Sequence, residues 1–301
     1  MVENRAVPDL SMRGKVCLVT GATSGIGKVA ALELATKGAH VIIVGRSPDR
    51  CEATLAEIEA ATGSNSLDYL VADLSVFSAV KTMAKEFNNR YTKLHVLVNN
   101  AGAIYMRRSN TIEGLESTWA LNHFGYFWLT GFLIDTLKAS APSRIINVSS
   151  DAHKRANIDG PPNMRDSMPL GFVTYANTKL ANLLFSYHLA YSIKSTGVTV
   201  NALHPGVVAT NFGRGNGMFG NVIQAYSKYF GVSPEVGART IVHLACAPEL
   251  YATTGKYYVK EREAASSKLS YDTKLSTRFW QWSIDNSRRL GMDTGRIEFL
   301  R

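Results

Sequence analysis

Cysteine is scarce. The 301-residue chain has three, Cys17, Cys51 and Cys246, widely spaced and without the close pairs of a metal site. That excludes a disulfide scaffold, and no metal is expected. Cys17 falls in an apolar strand-like run and Cys246 in an apolar helix-like one, so both read as core packing in a reducing, cytoplasmic compartment. No apolar run approaches the roughly 20 residues of a membrane helix, which excludes an integral span. Residues 1–13 lack the apolar stretch of a secretory signal and read as an extension. Acidic residues are also few, 24 against 33 Lys and Arg, for a net charge of +9. The basic residues are nevertheless scattered, with only short pairs such as Arg107-Arg108, Lys154-Arg155 and Arg288-Arg289. No long basic run or nucleic-acid module accompanies them, so no nucleic-acid partner is expected. A solvated basic surface accounts for the charge. Part of it suits a phosphorylated cofactor or a peripheral contact with an anionic membrane surface.

The apolar content of 46% is enough for a large core. From residue 15 onward, strand-like and helix-like segments alternate. Lys15–Thr20, His40–Val44, Leu67–Ala72, Leu94–Asn99, Arg144–Ser149, Val198–Leu203 and Lys256–Val259 read as strands, most with helical stretches between them. Ser47-Pro48 supplies an N-cap and first helical residue, and Gly63 a helix stop. A further helix is expected over residues 111–139. Strands that are apolar throughout, rather than alternating, imply a parallel sheet covered on both faces. The expectation is a single-domain α/β chain over 14–301, a Rossmann-type doubly wound parallel sheet of about seven strands. Ligands bind such sheets beyond the carboxyl ends of the strands.

Residues 20–29, TGATSGIGKV, raise the question of which phosphate they hold. A triphosphate loop needs a Gly five residues before the Gly of Gly27-Lys28 and a hydroxyl after the Lys. Ala22 and Val29 stand there instead. The glycines Gly21, Gly25 and Gly27, with Thr23, Ser24 and Ile26 among them, instead fit a strand-to-helix turn whose backbone N–H groups hold a pyrophosphate, with Lys28 nearby. An acidic residue is missing where the second strand ends. Gly45-Arg46 stands there, and a guanidinium pairs with a ribose 2′-phosphate, favouring NADP(H) over NAD. Asp73-Leu74 ends the third strand, where a carboxylate can accept from an adenine amino group. Asn100-Ala101-Gly102 follows the fourth, small enough for a cofactor to lie against the backbone.

Tyr175 and Lys179, at i and i+4 of a long helix, share one face. An ammonium beside a phenol lowers its pKa, so Tyr175 is expected below its usual value near 10, suited to proton exchange with a hydroxyl or carbonyl oxygen. Ser149-Ser150, at the fifth strand's end, offers a hydroxyl to the same oxygen. Asn122 offers an amide that holds a relay water.

These motifs, with Pro205-Gly206-x-x-x-Thr210, resemble those of the short-chain dehydrogenase/reductases, in order over about residues 14–260. Asn122-His123-Phe124-Gly125 and Thr178–Asn182 are most similar to retinol-dehydrogenase-like members, without the N-terminal membrane anchor many of them carry. The resemblance implies an oxidoreductase acting on CH–OH groups with NADP. It assigns Tyr175 as catalytic acid/base and Lys179 to the nicotinamide ribose. Ser150 rather than Ser149 takes the substrate oxygen, Asn122 the relay, and Pro205, Gly206, Val208 and Thr210 the nicotinamide end. It also implies a homodimer or homotetramer, with the Tyr175 helix (Leu183, Leu184, Tyr187, Tyr191) as a candidate interface. Residues 207–232, glycine-rich and then apolar, read as a lid over a lipophilic small-molecule substrate. In the C-terminal segment 262–301, Phe279, Trp280 and Trp282 suit a pocket, an interface or a membrane contact. The competing reading is a non-catalytic NADP(H)-binding redox sensor.

Overall fold

The computed structural model describes residues 11–163, 171–206 and 231–295. The chain begins with β1 (Val16–Thr20), α1 (Gly25–Thr36), β2 (His40–Gly45), α2 (Pro48–Thr62), β3 (Leu67–Val71), α3 (Phe77–Arg90) and β4 (Val96–Asn99). A short α4 (Ser117–Trp119) runs through a π-helical turn, Ala120–Phe124, into α5 (Gly125–Ala139). Then come β5 (Ser143–Val148), a 3₁₀ turn (Asp151–Arg155), α6 (Gly171–Ser192) and β6 (Val198–His204). The last elements are α7 (Pro234–Cys246), β7 (Tyr257–Val259), β8 (Arg262–Glu263) and α8 (Thr273–Arg289).

The strands form one sheet in the order β3-β2-β1-β4-β5-β6-β7-β8, parallel throughout except for β8. The eighth strand is a two-residue hairpin partner of β7, too short to leave a periodic pattern. Successive side chains point to opposite faces, and this divides the core. Leu18, Ile42, Leu97 and Ile145 join Phe77, Phe127 and Leu184 on one side. Cys17, Val19, Val41, Ile43, Val98 and Ile146 join Leu34, Ile58 and Ile241 on the other. Both faces are covered, which is why β1, β2 and β4 are largely apolar along their length. Cys17 is fully buried as expected, and Cys246 is half-buried.

The α2 caps follow the sequence: Ser47 Oγ accepts from Arg50 N at 3.4 Å, and Gly63 closes the helix at φ 67°. The helix expected from residue 111 starts later. Thr111–Leu115 is a turn, and Glu116 caps α4 by accepting from Thr118 N and Trp119 N, both at 3.0 Å.

The C-terminal aromatics pack onto the protein's own helices. Along α8, Leu275, Phe279 and Ser283 recur every four residues and are buried. Phe279 stacks on Trp119 (6.0 Å between ring centres), Trp280 on His188 (4.4 Å), and Trp282 packs on Phe124 (4.8 Å). Leu183 and Leu184, suggested for a subunit interface, are wholly buried, whereas Tyr191 is exposed. The lid expectation falls almost entirely outside the described residues. Strand order reverses between β1 and β4, so a crevice opens beyond their carboxyl ends.

Candidate active site

The glycine turn is locked to the loop after β4. Gly21 sits at φ 64°, and an added Cβ would stand 2.8 Å from Ala101 Cα. A Cβ on Gly27 would stand 2.5 Å from both Asn100 Nδ2 and the Gly21 carbonyl. Thr20 ties the two segments together: its Oγ1 donates to Val98 O and accepts from Asn100 N and Ala101 N. Asn100 Nδ2 donates to Thr20 O at 2.8 Å, so this amide braces the turn. The first backbone bond of α1 is Lys28 N to Ser24 O, so the N–H groups of Gly25, Ile26 and Gly27 lie at the helix start, where anions are held. Ser24 is exposed and Thr23 half-buried beside them. Lys28 turns the other way, to an ion pair with Glu57 on α2, and not toward the crevice.

At the end of β2, a Cβ on Gly45 would stand 2.6 Å from both Cys51 Sγ and Thr23 Cγ2, so a side chain before Arg46 would have to displace those two side chains. Arg46 is exposed. Tyr105, on the loop after β4, lies beside it and near Asp73; burial holds the Tyr105 phenol above its ordinary pKa, against the pull of the guanidinium. Asp73 Oδ1 accepts from Ser75 N (2.9 Å) and Ser75 Oγ (2.6 Å), which fixes its carboxylate. Leu74 is buried.

Beyond β5 the two serines separate. Ser149 Oγ is buried and donates to Lys179 O at 2.8 Å. Ser150 Oγ accepts from Ala152 N at the start of the 3₁₀ turn and lies within hydrogen-bonding reach of Tyr175. Lys179 Nζ donates to Val148 O at 2.9 Å and stands 5.6 Å from the Tyr175 ring centre and 5.7 Å from that of Tyr126. Burial dominates both titrations. It lifts Tyr175 to about 12, with Ser150 pulling it back in part, and drops Lys179 to about 7. The Tyr175 direction is opposite to the sequence expectation. Buried against rings and backbone, Lys179 is itself pushed toward its neutral form, so it brings less charge to the phenol.

Asn122 bonds through both ends of its amide. Its Nδ2 donates to Ala103 O (2.8 Å) and Thr178 Oγ1 (3.1 Å), and its Oδ1 accepts from Ala103 N (2.9 Å). The amide clamps the loop after β4 to α6. Gly102 lies between: a Cβ there would be 3.3 Å from Asn122 Oδ1 and 3.4 Å from Lys179 Nζ. Pro205 and Gly206 follow β6, with Gly206 at φ 91°. Val208 and Thr210 lie outside the described residues.

The short chain dehydrogenase family model matches residues 15–217. Human retinol dehydrogenase 13 is 36% identical over 290 residues, covering 94% of this chain and 87% of that protein. This chain belongs to the short-chain dehydrogenase family. Among solved structures, the RhlG/NADP active-site complex of Pseudomonas aeruginosa has a TM-score of 0.66 at 27% identity, over 84% of this chain and 96% of that one. The 3-ketoacyl-(acyl-carrier-protein) reductase of Brucella melitensis complexed with NADH has 0.63 at 25%, over 82% and 96%.

The motif reading passed over several residues at this family's crevice. Thr20 holds three bonds between the glycine turn and the loop after β4, and its only signal is its place before Gly21. Thr178 anchors Asn122, and its own hydroxyl bonds Tyr175 O at 2.7 Å. Tyr126, fully buried under Lys179, donates to Val148 O at 3.4 Å. Its position in an aromatic-rich helix looks like ordinary core.

Proposed function

We propose that the chain is an NADP(H)-dependent oxidoreductase that interconverts an alcohol and a carbonyl compound. Tyr175 is its general acid/base, and its substrate is lipophilic, such as a retinoid, a steroid or another aldehyde or ketone. The observation that carries the reading is the meeting of Tyr175, Ser150 and Lys179 at the carboxyl end of β5. A phenol held near pKa 12 is protonated at neutral pH, ready to donate to a carbonyl oxygen. Ser150 donates to the same oxygen and fixes its place. Ser149, spent on Lys179 O, holds the helix that carries both residues.

The crevice fits a dinucleotide. Donors at the α1 start suit a pyrophosphate, Arg46 suits a 2′-phosphate, and the bare Gly102 beside Lys179 and Asn122 leaves room for a ribose. When bound, NADP(H) supplies the hydride. Support for NADP over NAD comes from Arg46, where an NAD site carries an acid. The apolar lid expected over 207–232 and the likeness to retinol dehydrogenases support a lipophilic substrate.

The test is NADPH consumption across aldehydes, ketones, steroids and retinoids, with wild type and Tyr175→Phe. The wild type turns over at least one class, and the variant loses about 10²–10⁴-fold in kcat while still binding NADPH. Full turnover by Tyr175→Phe overturns the mechanism. Tight NADPH binding without turnover on any substrate favours the sensor.

A further inference from the structure

Residues 117–139 form one continuous helix with a single widened turn, Ala120–Phe124. A π turn holds one extra residue, and its place decides which side chains face which neighbour. Moving the bulge by one position would carry Asn122 about 100° around the helix axis. Its amide would then leave Ala103 and Thr178. Gly125 limits movement from one side, because its Cα packs so closely on Leu74 O that a Cβ would stand 2.7 Å away.

The other side is held by the next residue. His123 turns away from the crevice into the aromatic cluster under α8, with Trp282, Trp119 and Phe124 rings 5.7, 5.9 and 5.3 Å away. Its Nε2 lies 2.7 Å from Ser283 Oγ. Ser283 gives its own hydroxyl hydrogen to Phe279 O at 2.8 Å, so its oxygen accepts and His123 carries the proton on Nε2. His123 Nδ1 has no hydrogen-bond partner, which leaves Ser283 as the polar anchor of this ring among the described residues. One turn along, Ser287 repeats the device. It accepts from Trp128 Nε1 at 3.0 Å and donates to Ser283 O at 2.6 Å. Trp128 comes after the bulge, so that second bond fastens α8 to α5 without fixing where the extra residue lies.

We propose that the His123–Ser283 hydrogen bond is the strut that fixes the widened turn, and that Ser283 is thereby a positioning residue for Asn122 and the reaction. This rests on the functional reading above. The C-terminal helix then supports the site through His123.

Ser283→Ala and Ser287→Ala test it in the full chain, since each leaves one buried ring N–H without an acceptor. Both variants lower the melting temperature by similar amounts. Ser283→Ala alone lowers kcat by about 10- to 100-fold, with the NADPH KM within about twofold of wild type. It shifts the pH profile of kcat and speeds amide exchange over 120–124 by about tenfold. Ser283→Thr, which keeps the hydroxyl, restores both. Equal kcat and equal exchange in the two alanine variants overturn the proposal. The exchange comparison needs no turnover. An inactive wild type would sink the functional reading and leave the strut to be decided by exchange alone.

Discussion

Lys179 Nζ donates to the Val148 carbonyl at 2.9 Å, tying the helix that carries Tyr175 to the strand that leads to Ser150. The bond holds a buried amine, and burial drops its pKa from 10.5 to about 7. The unfolded chain keeps this proton up to about pH 10.5, and the folded chain releases it near 7. Between those values the unfolded state binds more protons, so stability rises with pH there, and below about pH 7 the full penalty applies. That penalty has a ceiling of about 4–5 kcal/mol, set against roughly 1 kcal/mol for the bond to Val148. Lys179→Met is therefore more stable than wild type at pH 7 in thermal unfolding. The difference shrinks toward pH 10, while kcat falls at least about 10²-fold. A variant less stable at pH 7, with a gap that does not change with pH, refutes this account.

The two serines after β5 divide structure from chemistry. Ser149→Ala removes a second, buried hydrogen bond to a carbonyl that keeps its helical partner, at a cost of about 0.5–1.5 kcal/mol seen in denaturant unfolding. Ser150→Ala loses the half-exposed cap of a short 3₁₀ turn and the contact with the Tyr175 hydroxyl, together about 1–2 kcal/mol, but lowers kcat about 10²–10³-fold. If Ser149→Ala proves the more damaging to kcat at equal stability, the assignment of Ser150 is reversed.

The parts legible in the sequence were those set by short-range pattern. Apolar strands such as Val16–Thr20 and His40–Gly45, and caps such as Ser47 and Gly63, follow from local chemistry and lie where the pattern put them. Gly21, Arg46, Asp73, Asn100 and Ser150 converge because each follows or ends a parallel strand, and Asn122, Tyr175 and Lys179 reach the same crevice from helices. What stayed hidden depends on contacts distant in sequence. Glu57 captures Lys28 from 29 residues away, and Ser283 meets His123 across 160. The direction of the Tyr175 shift was misread for a related reason. Spacing places an amine near the phenol, but only the packed structure tells how much water both have lost.

Two glycines of the crevice separate packing from binding. Gly27→Ala drives a Cβ to 2.5 Å from the Gly21 carbonyl, a backbone atom that cannot swing aside. It costs about 2–3 kcal/mol of stability. Gly102→Ala meets only Asn122 Oδ1 and Lys179 Nζ at 3.3 and 3.4 Å. Its stability stays within about 1 kcal/mol of wild type, yet NADPH affinity falls because the methyl occupies the ribose space. Calorimetric titration beside thermal unfolding distinguishes the two. Unchanged NADPH affinity in Gly102→Ala removes Gly102 from the binding site.

The proposed function makes Arg46 the residue that selects NADPH. Arg46 is exposed just past the end of β2, after the buried Gly45. A charge-assisted bond to a 2′-phosphate is worth about 1.5–3 kcal/mol, so Arg46→Ala weakens NADPH about 10- to 100-fold. NADH lacks that phosphate, and its affinity stays within about twofold. Because the pair is exposed, the wild-type preference for NADPH narrows as salt is raised through the range where the screening length falls below about 10 Å. The Arg46→Ala preference, already lost, does not respond. Titration of both cofactors into both proteins at low and high salt measures all of this, and a wild type that prefers NADH at low salt overturns the NADP assignment.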